Sequence, residues 1–327
     1  MEAVLDEFES IARLFRPLTG GAPEAADLLD DAAFLPARPG YELVITKDAV
    51  VAGVHFLPGT PPDLVARKLL RVNLSDLAAK AADPFGYLLA VAWPAAWGEA
   101  DRQAFARGLA QDQALFGITL LGGDTVSTPG PFTASVTAVG YAPTGTAVRR
   151  RGARPGDLLF VSGTVGDGWL GLQAARGVVG FGDDREALIS RYELPEPRSP
   201  LTALLRAHAH SALDVSDGLV ADVGHLARAG AVGVKLHLER LPLSAGARAW
   251  TATQSDHGLA LETLATGGDD YEIAFTVAAD LRTEVESEAA RVGVPVTAVG
   301  EVVAGEGVRV MLKGSLRAPA PTGWRHS

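Results

Sequence analysis

Short apolar runs that lead into aspartate recur along this sequence, and they constrain the fold more than any other feature. In Ile118-Thr-Leu-Leu-Gly-Gly-Asp124, apolar and β-branched residues precede two glycines and a carboxylate. Similar runs lead to Asp48, Asp214 and Asp217. Such runs are typical of short buried strands, and the glycines are expected to turn the chain where the strand ends. Because α/β sheets bind ligands at strand ends, we expect these carboxylates to lie at a binding site.

Asp30, Asp31 and Asp76 add carboxylates beside other apolar segments. Carboxylates that are brought together repel one another unless cations neutralise them, and hard oxygen ligands suit Mg²⁺, usually together with substrate phosphates. A single aspartate of this kind is more often a helix cap or a turn residue. Their recurrence favours a metal site.

The composition excludes several classes of protein. A net charge of −10 over 327 residues argues against a nucleic-acid or anionic-membrane partner, since phosphate backbones select basic surfaces. The absence of cysteine excludes disulfides, thiolate metal sites and thiol catalysis. An acidic N-terminus and the lack of a membrane-length apolar run predict a cytoplasmic protein.

The order of the predicted elements is mixed α+β. In the first half we expect an opening amphipathic helix over 5–15, strands over 41–48, 87–93, 118–121 and 132–141, and helices over 61–82 and 99–116. In the second half, strands and helices alternate as in a further α/β domain. The length and the loop near residue 145 predict two domains, 1–145 and 146–327.

Two motifs leave alternatives open. Gly166-Asp-Gly-Trp-Leu-Gly171 matches the glycine fingerprint of a dinucleotide-binding fold, but it explains none of the aspartates. Arg149-Arg-Arg151 is either a solvated face or a grip for phosphate oxygens. The sequence contains no P-loop motif, so any nucleotide would be bound without one.

Taken together, seven ordered blocks resemble the thiamine-monophosphate kinases. The match runs from about Asp30 to Trp324. The blocks are Asp30-Asp-Ala-Ala33, Thr46-Lys-Asp48 with Gly53-Val-His-Phe56, Asn73-Leu-Ser-Asp-Leu-Ala-Ala79, Gly122-Gly-Asp-Thr125, Arg150-Arg-Gly-Ala-Arg-Pro-Gly-Asp157, Asp214-Val-Ser-Asp-Gly-Leu219 and Gly267-Gly-Asp-Asp-Tyr-Glu272.

The resemblance implies the two-domain fold shared with aminoimidazole ribonucleotide synthetase, in which the N-terminal sheets pair across a homodimer and a C-terminal α/β domain completes each ATP site. It also implies an ATP-dependent phosphotransferase that converts thiamine monophosphate to thiamine diphosphate by direct in-line transfer with several Mg²⁺ ions. A related ATP-dependent synthetase and a non-catalytic nucleotide or metal sensor are the competing classes.

The resemblance also implies roles for single residues. The positions that match the family's Mg²⁺ ligands are Asp31, Thr46, Asp48, Asp76, Asp124, Asp214 and Asp217. Of these, Asp48, Asp124 and Asp217 are expected to act in catalysis. The positions that match ATP contacts are Gly123, Asp124, Arg150 and Ser216. The positions that match contacts with thiamine monophosphate are His55, Asp269 and Trp324.

Three residues depart from the family pattern within these blocks. Leu29 stands where glycine is usual, Lys47 replaces a small hydroxyl residue beside Asp48, and Asp269 replaces glutamate. The turn before Asp30 must therefore form without glycine. The Lys47 replacement puts one metal contact in question, and the shorter Asp269 side chain favours a water-mediated contact with the substrate.

Overall fold

The structure is a computed structural model, and it describes residues 7–178 and 181–317. Contacts between residues divide the chain into two units. The first comprises residues 1–77 and 82–145, and the second comprises residues 78–81 and 146–327. The described residues form two sheets, one of four strands and one of seven, together with helices. The predicted mixed α/β class is therefore confirmed.

The described part of the first unit combines one sheet with helices. Its elements in chain order are α1 (Glu7–Ser10), β1 (Tyr41–Val51), α2 (Pro62–Ala79), β2 (Asp83–Pro94), α3 (Glu99–Phe116), β3 (Thr119–Thr128) and β4 (Thr133–Pro143). The strand order is β1-β4-β2-β3, so that β1 and β3 are the two edges. Strands β2 and β3 are parallel, whereas β4 is antiparallel to both β1 and β2.

Helices α2 and α3 form one hydrophobic core with a single face of this sheet. Leu69 and Leu70 of α2 and Phe105 of α3 are fully buried in it, together with Val136 of β4. The residues on the alternate positions of the strands belong to the opposite face. That face carries exposed apolar side chains, among them Ile45, which is 62% exposed.

A buried ion pair joins the two helices. Asp112 of α3 is completely buried, and it accepts hydrogen bonds from Arg71 at 2.6 Å and from Arg67 at 3.0 Å, both on α2. Helix α2 is thereby held in position against α3. This matters for function, because α2 also carries Asn73 and Asp76.

The second unit contains shorter elements. They are β5 (Leu158–Ser162), α4 (Asp167–Ala175), α5 (Arg185–Glu193), α6 (Thr202–His208), β6 (Ser211–Val215), α7 (Leu219–Gly230), β7 (Gly233–His237), α8 (Ala245–Thr253), α9 (His257–Thr266), β8 (Glu272–Val277), α10 (Arg282–Arg291), β9 (Val296–Val303), β10 (Gly307–Leu312) and β11 (Ser315–Leu316). The sheet order is β11-β10-β7-β9-β5-β8-β6, with β7 and β10 parallel and the other pairs antiparallel.

Both faces of this second sheet are buried. Leu159 and Val161 of β5 pack in one core cluster with residues of α7, whereas Phe160 packs in another cluster with residues of α6 and α10. Neighbouring positions on a strand point to opposite faces, so helices cover the sheet on both sides. The central strands β5 and β8 are correspondingly buried and apolar over most of their length.

The strand that was expected to end before Asp124 does not end there. Strand β3 runs from Thr119 to Thr128, so Gly122 and Gly123 lie inside it and Asp124 stands in its middle. Strand β1 likewise continues past Asp48 to Val51. The prediction of glycine turns at strand ends is therefore wrong for β3. Extended pairing with β2 continues through both glycines, and Gly123 leaves room for the neighbouring backbone at Leu89.

Among the described residues, no helix has the length and apolarity that crossing a membrane requires.

We predict that Asp112→Ala lowers the free energy of unfolding by about 3–5 kcal/mol, because it leaves the Arg71 guanidinium buried without its carboxylate. Urea unfolding followed by circular dichroism measures this change. The control is Glu286→Ala, which removes the exposed pair with Arg282 and should cost no more than about 0.5 kcal/mol. Equal losses in the two variants would contradict a structural role for the buried pair.

Candidate functional site

Strand β1 and helix α2 together build a cluster of oxygen ligands, the β1 cluster, from Thr46, Asp48, Asn73 and Asp76. Thr46 and Asp48 are two residues apart on the strand and so share a face. The Thr46 hydroxyl donates a hydrogen bond to Asp76 Oδ2, and the Asp48 backbone N–H donates to Asn73 Oδ1 at 3.0 Å. The fully buried Asn73 amide in turn donates to Leu69 O at 2.9 Å. Asn73 and Asp76 of α2 thus form hydrogen bonds with Asp48 and Thr46 of β1, which satisfies polar groups that are withdrawn from water.

A second acidic group, the β3 cluster, consists of Asp30, Asp31 and Asp124. These residues line a cavity of about 160 Å³ beside β3. The Asp31 N–H donates to Asp30 Oδ1 at 2.7 Å. Asp31 and Asp124 are exposed. The cavity therefore brings together two of the predicted metal ligands, Asp31 and Asp124.

Gly123 is required where it stands. A Cβ at this position would lie 1.8 Å from the Leu89 carbonyl oxygen of the neighbouring strand β2. A side chain of any size would force β2 and β3 apart. The glycine therefore allows the close strand pairing that positions Asp124.

The turn before Asp30 forms without glycine at Leu29. Leu29 has a φ of −109°, which any residue adopts without strain. The left-handed conformation falls instead on the preceding residues Ala26, Asp27 and Leu28.

The β1 cluster and the β3 cluster are separated within the first unit. They belong to opposite edge strands with β4 and β2 between them, which is about 14 Å at the usual spacing of strands. Asp48 is in register with Val136 and Leu89, whereas Asp124 is in register with Ala90 in the next row. Their side chains therefore point to opposite faces of the sheet.

Lys47 points away from Thr46 and Asp48. Its ammonium group donates hydrogen bonds to the hydroxyls of Ser135 at 3.0 Å and Thr137 at 3.4 Å, both on β4. Its side chain therefore belongs to the exposed face of the sheet, and the β1 cluster forms on the other face.

His55 closes the turn that follows β1. Its Nδ1 accepts a hydrogen bond from the Val51 N–H at 3.1 Å, and the His55 backbone N–H donates to Val51 O at 3.0 Å. With Nδ1 as the acceptor, the neutral ring carries its proton on Nε2. Trp324, which was also predicted to contact thiamine monophosphate, lies outside the described residues.

In the second unit, Asp214, Ser216 and Asp217 lie at the end of edge strand β6 and in the turn that follows. Asp214 is buried within the strand, in register with Ile273 of β8. The Asp217 backbone N–H donates to Asp222 Oδ2 at 3.0 Å. These residues therefore fall within a few positions of one another, as the sequence predicts.

Two residues near Asp217 escaped the sequence reasoning. The ligand atoms of Asp217, Asp222 and His225 all lie within 4.8 Å of one another. Asp222 and His225 are three residues apart on α7 and so share a face of the helix. That spacing is the signal that would have found them. A carboxylate and an imidazole thus stand beside a predicted metal ligand.

Burial in the first place, and then the nearby Asp217 carboxylate, raise the pKa of the Asp222 carboxyl to about 7. Hydrogen bonds from the backbone N–H groups of Asp217 and Ser216, together with the positive charge of Arg150, act in the opposite direction. Arg150, which matches an ATP contact, is thus close enough to the Asp222 carboxyl to lower its pKa.

Asp269 is in direct contact with the turn that contains Ser216. The Asp269 backbone N–H donates to Ser216 O at 2.9 Å. Asp269 has a φ of +67°, which is rare for a residue other than glycine. The structure thereby brings a residue matched to thiamine monophosphate next to one matched to ATP.

Comparison with known proteins identifies the family. Residues 29–142 match the model of the AIR synthase related protein N-terminal domain, and residues 154–313 match that of its C-terminal domain. The thiamine-monophosphate kinase of Caulobacter vibrioides is 57% identical over 98% of this chain and 90% of its own length.

Solved structures agree. The thiamine-monophosphate kinase from Stenotrophomonas maltophilia K279a is 38% identical and superposes with a TM-score of 0.79, covering 89% of this chain and 91% of its own. A structure described as AaThiL complexed with AMPPCP and TMP is 29% identical, with a TM-score of 0.78 and 89% coverage of both chains. With two matching domain models and a relative that is 57% identical over nearly the whole sequence, this chain belongs to the thiamine-monophosphate kinase family.

Proposed function

We propose that this chain transfers the γ-phosphoryl group of ATP to thiamine monophosphate and releases thiamine diphosphate and ADP. The observation that carries the proposal is the β1 cluster, which collects carboxylate, hydroxyl and amide oxygens on one face in a chain that is 57% identical to a thiamine-monophosphate kinase. The solved relative that holds AMPPCP, an ATP analogue, together with TMP supports the same pair of substrates. A reaction that consumes ATP agrees with a cytoplasmic location.

The reaction needs no general base. The acceptor is a phosphate monoester, and its second pKa near 6 leaves it largely dianionic at neutral pH. The difficulty is that one polyanion must approach another in line, at about 3–3.5 Å before reaction. Binding and charge neutralisation therefore account for catalysis, and direct transfer without a phosphoenzyme is the simplest course.

The donor sets fit Mg²⁺, which favours hard oxygen ligands such as carboxylates. The residues that would hold the ions are Asp31, Thr46, Asp48, Asp76, Asp124, Asp214 and Asp217. Bound Mg²⁺ would neutralise the phosphate oxygens and stabilise the charge that spreads over them during transfer. In this protein of net charge −10, the ions would also allow two anionic substrates to bind.

The remaining residues orient the substrates. Gly123 lets β3 approach β2 closely, so that backbone groups beside Asp124 are available to ATP. Ser216 and Arg150 serve the same ligand in the second unit, and His55 and Asp269 serve thiamine monophosphate. Trp324 keeps its predicted role as a stacking partner for the substrate rings.

We further propose that two copies of the chain form a homodimer through the exposed face of the first sheet. Leu43, Ile45, Leu88 and Val126 share that face and are each at least 38% exposed. Exposed apolar patches of this kind mark interaction surfaces. A two-fold interface uses the same patch on both subunits, so a second copy is the partner that this face fits.

A homodimer would also account for the separation of the two acidic clusters. The β1 cluster lies at one edge of the sheet and the β3 cluster at the other. If two such sheets close on each other, edge strand β1 of one subunit adjoins β3 of the other. The β1 cluster of one subunit would then lie beside the β3 cluster of the partner subunit, and the aspartates of both clusters would border one site.

The proposed activity is tested by ADP release with Mg²⁺ and ATP. We expect release with thiamine monophosphate and little with thiamine, which lacks the accepting phosphate. Asp76→Asn and Asp124→Asn should each lower turnover by at least about a hundredfold, since each removes charge that neutralises Mg²⁺. The unfolding midpoint without metal should stay the same or rise, because repulsion between carboxylates is relieved.

The outcomes separate the competing classes. Release of inorganic phosphate with a different acceptor would favour the synthetase class, and binding of ATP without turnover would favour a sensor. Either result would overturn the proposed function. Normal turnover in Asp124→Asn would remove that residue from the mechanism.

The dimer is tested by Ile45→Asp, which places a charge within the proposed interface. Analytical ultracentrifugation should show a dimer for the wild type and a monomer for this variant. Leu115→Asp is the matched control, because Leu115 of α3 is 61% exposed and Ile45 is 62% exposed. Dissociation in both variants, or in neither, would contradict this choice of interface.

A further inference from the structure

Three segments of the second unit meet with their backbones in direct contact. They are the start of helix α4 around Gly168, the turn after β6 around Ser216, and the segment before β8 around Asp269. A Cβ on Gly168 would lie 2.2 Å from Asp269 O, and a Cβ on Gly268 would lie 2.6 Å from Ser216 O. No side chain fits between these segments, so a displacement of one is transmitted to the others.

The Asp270 carboxylate forms hydrogen bonds that hold these segments together. It is fully buried, and each of its oxygens accepts one backbone hydrogen bond from the N-terminal end of α4. Asp270 Oδ2 accepts from the Gly166 N–H at 2.8 Å, and Oδ1 accepts from the Gly168 N–H at 3.0 Å. Arg191 also donates to the Asp270 carbonyl oxygen at 3.2 Å. The residue is therefore tied on both its side chain and its backbone.

The neighbours of Asp270 adopt a backbone conformation that needs such support. Asp269 and Tyr271 have φ values of +67° and +51°. A left-handed conformation is unfavourable for a residue other than glycine, and it persists only where its surroundings hold it. Backbone hydrogen bonds from Asp269 N to Ser216 O at 2.9 Å and from Tyr271 N to Val215 O at 2.8 Å join the segment to the turn after β6.

We propose that Asp270 is a positioning residue for the transfer reaction, which it serves by fixing Asp269 and Ser216 relative to each other. The proposal rests on the proposed function, in which Asp269 contacts thiamine monophosphate and Ser216 contacts ATP. Asp270 itself touches neither substrate. Its carboxylate holds the start of α4, against which the Asp269 carbonyl packs, and the Asp269 N–H holds the Ser216 carbonyl.

The geometry predicts a specific defect in Asp270→Asn. The amide keeps one acceptor oxygen but places an N–H₂ group against a glycine N–H, so one of the two bonds is replaced by a contact between donors. The Asp269 segment then loses its anchor, although the Asp269 side chain itself is not altered. We expect the KM for thiamine monophosphate to rise about tenfold or more, as misplacement of a substrate contact by a fraction of an ångström produces.

Asp157→Asn is the matched control. Asp157 is also a buried carboxylate, it also accepts a backbone N–H, from Arg154 at 2.8 Å, and it also contacts a second group, His210 at 2.9 Å. It precedes β5, whereas the segment bound to Asp270 follows β5, so it lies at the opposite end of the strand. Its loss should affect stability while leaving the KM for thiamine monophosphate within about twofold of the wild type.

The experiment measures ADP release at varied thiamine monophosphate and saturating ATP, with the folded fraction of each variant checked by circular dichroism. A raised KM in Asp270→Asn together with an unchanged KM in Asp157→Asn supports the proposal. A KM within about twofold of the wild type in folded Asp270→Asn overturns it. No activity in the wild type would instead be a failure of the proposed function.

Amide hydrogen exchange on the wild-type protein keeps the proposal testable if Asp270→Asn does not fold. The Gly166 and Gly168 amides should exchange as slowly as those of strand β5, because both are bonded to a buried carboxylate. Exchange at the rate of an open loop would show that the anchor does not form, and would overturn the proposal.

Discussion

The polar contact between helix α2 and edge strand β1 is the interaction on which the candidate site depends. Leu69, Leu70 and Leu77 of α2 are fully buried, and so is Asn73, whose amide is withdrawn from water. Its partners are the Asp48 N–H and the Leu69 carbonyl, and without them its burial would be costly. These bonds fix the register of helix and strand. A slip of one residue along β1 would turn Thr46 and Asp48 to the other face of the sheet.

The same sheet supports two different tasks because its faces differ. The face that packs on α2 and α3 supplies the core and the β1 cluster, while the opposite face remains apolar and exposed. Strand order then places the β3 cluster at the far edge. In the second unit the central strands β5 and β8 are buried on both faces. The candidate binding residues Asp269 and Ser216 lie outside the strands, where close backbone packing sets their positions.

Much of the local structure follows from the sequence, since helix α3 covers the predicted residues 99–116 and Asn73 and Asp76 share a face as their spacing predicts. The family also follows from the sequence, because seven motifs in the same order identify it even where single residues depart from its pattern. The length of β3 could not be predicted from the sequence. Paired glycines are usual in turns, and only the approach of Leu89 explains why they lie within a strand.

Strand order and buried partners were also beyond the sequence pattern. Nothing local in Asp48 or Asp124 indicates that two strands lie between them, because pairing in a sheet is set by contacts distant in sequence. The same holds for Lys47, whose hydroxyl partners are about ninety residues away along the chain, and for Asp270, which bonds glycines at the start of α4. Asp222 and His225 differ from these cases, because their spacing of three residues on a helix could have been read from the sequence.

The central claim is that the two acidic clusters of the first unit act in one site, and intersubunit complementation tests it most directly. Asp48→Asn and Asp124→Asn are each expected to be inactive. If the proteins are unfolded together in equal amounts and refolded, half of the dimers contain one subunit of each kind. A site shared between subunits then restores about a quarter of wild-type turnover, because one of the two sites in each mixed dimer has both carboxylates. Recovery of that size is the predicted result, and a mixture as inactive as its components, despite the formation of mixed dimers, would contradict the account.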